Sequence, residues 1–229
     1  MKIGPHHIFY AVLTGDVVHS SRMSEAQRRQ LKASLEATFQ RVQEYYPEKC
    51  PISGAVFRGD SWQFLVSVPM DSVRIALLIR TLLRYQFDFE IDSRVSIGIG
   101  QVDFIPKESI ADGDGPAFHL SGRGLDKMSR NARMALDIQH VNIQLLKTVV
   151  NLIDVISSDW TVAQCQAVVS TMLGWNQEET ALDWDPEPIT QQAVAQHLRR
   201  AKWSAVSSAI EDSMWGLTTS VSQLQSLVD

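Results

Sequence analysis

The chain has little cysteine. Cys50 and Cys165 lie far apart and without the paired spacing of a metal site. That excludes a disulfide framework and fits reduced thiols in a cytoplasmic setting. Basic excess is also missing: a formal net charge of −5 gives no overall pull toward nucleic acid or an anionic membrane. No apolar run approaches the roughly 20 residues that a bilayer span needs. The first ten residues hold one Lys and two His and lead into a strand pattern, unlike a signal peptide. What is present is an ordinary apolar content of 45% over 229 residues, enough for one large domain or two small ones.

Charge is divided unevenly along the chain. Residues 1–140 carry 17 Lys and Arg against 16 Asp and Glu, whereas residues 141–229 carry 4 against 10. Five of the six Trp also fall in the second part. These shifts predict two domains, 1–140 and 141–229.

In the first part, residues 7–18 read as a buried strand ending at Gly15 and Asp16. Ser24 with Gln27 forms a capping-box pattern ahead of Leu31, Leu35, Phe39 and Val42 at helical spacing. Residues 52–57 and 62–68 read as a hairpin with Asp60 at its tip. Asp71 then caps a helix with an apolar stripe, residues 94–102 form a strand, and a further helix is predicted over 117–136. Strand, helix, hairpin, helix, strand, helix implies an α+β sandwich with its helices on one face of a mixed sheet. In that order the end of the first strand and the hairpin tip are neighbours.

Asp16 and Asp60 are therefore expected to converge. Carboxylates beside a core are costly unless paired, and two hard oxygen donors together suit Mg²⁺ or Mn²⁺ with a phosphorylated ligand. The turn of Val17, Val18, His19 and Ser20 is expected to cradle phosphates through its backbone N–H groups, with Arg22 and Arg58 binding phosphate oxygens. Taken singly, each Asp is better read as a turn residue; the two together, in this topology, favour the site. The loop of Asp112, Gly113, Asp114 and Gly115 lacks the later acidic ligand of a calcium loop, and His6 and His7 have no evident partners.

The order of elements and the two acidic turns resemble the palm-type, ferredoxin-like fold of class III nucleotide cyclases and diguanylate cyclases. The segment Gly15-Asp16-Val17-Val18-His19-Ser20-Ser21-Arg22 is more closely similar to SatD-family bacterial proteins. So are Gly59-Asp60-Ser61-Trp62-Gln63, Ser96-Ile97-Gly98-Ile99-Gly100 and Asp114-Gly115-Pro116-Ala117-Phe118. The resemblance spans about residues 5–215. It implies metal ligation by Asp16 and Asp60, a nucleotide ligand and a homodimer. It also implies that Arg123, with His119 in place of the cyclase Asn, carries catalysis if the protein is an enzyme. Val56 stands where cyclases carry a base-reading Lys, and Ser61 where most relatives have Glu. These departures favour binding over turnover.

The second part predicts an all-α unit: an apolar helix over 141–156, another from Trp160 to Leu173, and a long helix from 189 or 190 to Met214. Residues 190–198 resemble the second helix of a helix-turn-helix, with Ala181 and Val194 holding the helix pair together and a turn about three residues longer than usual. In a DNA-reading version Gln191, Gln192 and Gln196 face base edges, while Arg199, Arg200 and Lys202 meet phosphates. The acidic balance of this part opposes general DNA affinity. Three functions stay open: a DNA-binding regulator that senses a nucleotide through Mg²⁺ or Mn²⁺; a metal-dependent nucleotide cyclase or nucleotidyltransferase; and a protein-interaction module with a degenerate palm.

Overall fold

A computed structural model describes residues 9–57, 59–86, 91–105 and 109–228. Five strands, β1 (Phe9–Val17), β2 (Ala55–Phe57), β3 (Ser61–Val66), β4 (Ser93–Gln101) and β5 (Met134–Ile138), make one sheet in the order β2-β3-β1-β4-β5. Every neighbouring pair is antiparallel except β4 and β5. With α1 (Glu25–Tyr45) and α2 (Ser72–Gln86) as crossovers, the first four strands have the split βαβ order of a ferredoxin-like sheet.

The alternation of side chains along β1 decides where the layers form. Ala11 and Leu13 join Trp62, Phe64, Ile97 and Ile99 under α1 and α2. Val12 and Leu65 point the other way and pack against Ala117 and Phe118 of α3 (Pro116–Lys127). Burying each such Leu, Ile or Phe contributes about 1.5–3 kcal/mol, so a strand apolar on both sides needs cover on both. The expected arrangement, with all helices on one face, is thus corrected: α1 and α2 share one face, and α3 takes the other. Gly98 allows the close approach, because a Cβ there would lie 2.4 Å from both the Ala117 carbonyl oxygen and the Ser121 amide nitrogen.

The helix expected over 117–136 ends at Lys127, and Met134, Leu136 and Ile138 form β5 instead. Their every-second-residue burial is a strand period, and they extend the sheet beside Val95, Ile97 and Ile99.

Beyond β5 come α4 (Gln144–Ser158), α5 (Val162–Met172), α6 (Gln177–Leu182), α7 (Gln191–Arg200) and α8 (Trp203–Val228). The single helix expected from 189 or 190 to Met214 is two helices, because Lys202 takes a left-handed conformation with φ 54°. The break is held by Trp160, whose indole N–H donates to the Ala201 carbonyl at 2.8 Å and whose ring meets Trp203 edge-on. The residue-140 boundary falls in the turn between β5 and α4. One apolar cluster runs from Leu13 and Ile97 through α2 to Val168 of α5 and Ile210 of α8. Sandwiched between the sheet and α5, α2 is buried on almost every side. No helix among the described residues is long and apolar enough to cross a membrane.

Candidate functional site

Strand register brings the two acidic turns to one end of the sheet. Asp16 stands opposite Ser61 on β3 and Arg94 on β4, and the Val17 amide donates to the Asp60 carbonyl at 3.1 Å. Asp16 lies on the α3 side, two residues from Thr14, whose hydroxyl shares a 2.7 Å hydrogen bond with Ser121. Each carboxylate already has its own partner. Arg94 grips Asp16 with two donors, Nε to Oδ1 at 2.8 Å and Nη2 to Oδ2. Asp60 accepts from the Ser20 hydroxyl and, at 3.4 Å, from the Ser61 hydroxyl. The hydrogen bond to Asp16 outweighs partial burial and holds the Arg94 guanidinium above its ordinary pKa.

Mg²⁺ takes one or two carboxylates and fills its shell with water and phosphate oxygens. The donor type of Asp16 and Asp60 suits it, yet Asp16 is neutralised as placed. Among the described residues no group of three or more His, Cys, Asp or Glu is arranged to hold a metal ion. A cation here requires Arg94 to release Asp16.

The expected phosphate cradle is corrected in part. The Val17 amide serves Asp60, and the Val18 amide donates to the Asp92 carbonyl at 2.8 Å, so neither N–H is free for a ligand. His19, left-handed at φ 61°, turns the chain into a short 3-10 turn over Ser20–Arg22. The Arg22 side chain is exposed and has no partner among the described residues. Arg58, Ile8, His6 and His7 lie outside the described residues. Val56 packs against the core. His119 and Arg123 share the exposed row of α3, whose Ala117, Phe118 and Ser121 face the sheet. His119 pairs there with Asp114 at 2.9 Å. His119 is thus engaged at the start of α3, whereas the later part of that helix lies beside the site: a Cβ on Gly124 would meet the Ser96 hydroxyl at 2.2 Å, and Asp126 acts on Arg94.

Sequence reasoning missed Arg94 and a buried charge network behind the same sheet end. Arg80 of α2, 1% exposed, binds both oxygens of Asp92 at 2.7 Å, Asp154 of α4 at 2.8 Å, and the Ser157 and Ser158 hydroxyls at 3.0 and 2.9 Å. Burial opposes its charge, but the bond to Asp92 with the charges of Asp92 and Asp154 raises its pKa. Arg84, one turn on, donates to the Ser157, Ser158 and Trp160 carbonyls at the end of α4. The available signal was an Arg set between Ile79 and Thr81 within the apolar stripe of that helix. This network floors a cleft of about 450 Å³ lined by Arg22, Arg84, Asp92, Asn131, Arg133 and Ser158 among others.

In the helical part, α5, α6 and α7 pack on one another. Asn176 caps α6 through the Glu178 and Glu179 amides, both at 2.9 Å, and Thr190 caps α7 through the Ala193 amide at 3.2 Å. Ala181, Val194 and Leu198 are buried, while Gln191, Gln192, Gln196, Arg199, Arg200 and Lys202 are exposed. His197 stacks on Trp184 with ring centroids 5.2 Å apart. Its pKa is lowered, first by burial and then by Arg200.

Comparison with known proteins places these features in a family. The solved structures similar to this chain include the catalytic core of a rhodopsin-guanylyl cyclase with converted specificity in complex with ATPalphaS. The match is 16% identical, covers 57% of this chain and 77% of that one, and has a TM-score of 0.45. No curated protein matches the chain. The SatD family model matches residues 10–211, a stretch that takes in the sheet, both acidic turns and the helices through most of the C-terminal part, and the chain belongs to the SatD family.

Proposed function

We propose that the protein is a cytoplasmic, homodimeric DNA-binding regulator. Its ferredoxin-like, palm-type part senses a nucleotide with Mg²⁺ or Mn²⁺ at the Asp16 and Asp60 end of the sheet. The observation that carries this reading is the register of β1 between β3 and β4, with Asp16 opposite Ser61 and Asp60 bonded to Val17. Two carboxylates at one sheet end, each held by groups that a cation and phosphates can replace, form a site that opens on ligand binding. Arg94 holds Asp16 where a cation would bind. Binding over turnover is favoured by the departures from the cyclase pattern at Val56, Ser61 and His119. The DNA-binding half rests on α7, whose Val194 and Leu198 anchor it while its three Gln and following basic residues stay exposed.

Titration calorimetry with Mn²⁺ and each of the four nucleoside triphosphates tests the sensing half. One nucleotide is expected to bind, with affinity at least tenfold weaker in Asp60→Asn. Absence of heat with all four sinks it, and release of pyrophosphate replaces it with an enzyme. A gel shift with the gene's own promoter DNA tests the other half. Retention should fall with rising salt and with Arg199→Ala, and no retention at low salt ends that half.

A further inference from the structure

The cleft floored by Arg80 lies on the α2 side of the sheet end, across β1 from the Asp16 carboxylate. We propose that it is a metal-independent subsite for the di- or triphosphate group of the ligand. The inference rests on the reading that this sheet end binds a nucleotide, and it locates the phosphates away from the carboxylates.

Charge is the first argument. Among the described residues, four guanidinium groups, Arg22, Arg80, Arg84 and Arg133, meet two carboxylates, Asp92 and Asp154, in and beneath the cleft. Both carboxylates are already spent. Asp92 receives both forks of Arg80, and Asp154 accepts from Arg80 and from the Arg133 amide, the latter at 2.7 Å. The positive surplus is therefore borne by the side chains that line the cavity. Uncovered helix carbonyls would repel an anion, but Arg84 covers those at the end of α4.

Donor geometry is the second. Arg84 and Arg133 are held by carbonyls, Arg133 through Nη1 to Arg130 at 2.8 Å and Ala132 at 3.1 Å. Its Nη2 has no partner among the described residues, and its Nε is 3.8 Å from Asp92, beyond hydrogen-bond reach. Held guanidinium groups lose little entropy on meeting a phosphate. Arg22, at the mouth, brings a full fork of unused donors. Asn131 and His19 add further donors at the rim. A volume near 450 Å³ is ample for a triphosphate.

Calorimetry with sodium tripolyphosphate in EDTA, at low salt, tests the subsite without metal or base. Wild-type protein is expected to bind it. Arg22→Ala should weaken binding at least tenfold, as loss of a charge-assisted contact does. Arg22→Glu and Asn131→Asp, both at exposed positions, should weaken it further or abolish it, and Arg29→Ala, an exposed arginine of α1 outside the cleft, should leave it unchanged. Inorganic phosphate alone should bind more weakly, which separates a polyphosphate subsite from a single-phosphate one. Equal binding in all variants overturns the subsite. Metal-dependent nucleotide binding that is lost in Asp60→Asn but untouched by the Arg22 variants overturns it while keeping the proposed function. Silence with both tripolyphosphate and metal–nucleotide overturns both.

Discussion

Replacing Arg80 with Ala tests whether the buried network holds the sheet and the C-terminal helices together. The guanidinium is 1% exposed and serves Asp92 from its own side and Asp154 from α4, whose carboxylate is 6% exposed. Among the described residues, removing it leaves buried Asp154 without its cation and Asp92 with only the Arg133 Nε, at 3.8 Å, as a basic partner. Breaking a buried ion pair from one side costs about 3–5 kcal/mol, mainly through the charge left behind. For a chain of this size that corresponds to a fall in Tm of roughly 10 °C. Urea unfolding followed by tryptophan fluorescence measures the loss as a shift of the midpoint at constant slope. Adding Asp154→Asn to Arg80→Met, which removes the stranded charge and keeps the volume, should recover at least half of it, so the pair shows strong coupling in a double-mutant cycle. A loss below about 1 kcal/mol for Arg80→Ala, or no recovery in the double variant, refutes the reasoning.

Three further outcomes are expected. Gly98→Ala should lower stability by about 1–3 kcal/mol in a thermal melt, because its Cβ meets backbone atoms of α3 at 2.4 Å; an unchanged Tm means α3 is not seated there. Burial pushes the Cys50 thiol up to about 12 and the Cys165 thiol up to about 11, so neither should react with a thiol reagent at pH 8 until the chain unfolds. His197 has a lowered pKa, so the unfolded chain binds its proton first: its contribution is full above about pH 6.5 and is lost as pH falls below that. His197→Phe, which keeps the stack on Trp184, should shrink the Tm difference between pH 7.5 and 5.5. An undiminished difference assigns the effect to other groups.

Much of the local structure was legible because it depends on neighbours in the chain. The Ser24 box, the Leu31 to Val42 stripe, the Asp60 hairpin and the α7 start at Thr190 are short-range patterns, and all form. β5 was misread because Met134, Leu136 and Ile138 also fit a helix continuing from α3. Only the open edge of β4 selects the strand period. The split at Lys202 depends on Trp160, some forty residues earlier, and no local pattern announces it.

The candidate site divides the same way. Residue types alone determined that Asp16 closes a strand and Asp60 a hairpin turn beside a core, and the element order put them at one end of the sheet. Only the tertiary structure decided what they touch. Strand register put Arg94 opposite Asp16, the turn put Ser20 against Asp60, and two backbone amides expected to hold phosphate were consumed by the sheet end itself. The Arg80 network joins α2, the residue before β4, and α4, three segments whose sequences carry no shared pattern. A carboxylate's identity sets the charge it brings, but its partner is whichever long-range neighbour the packing delivers.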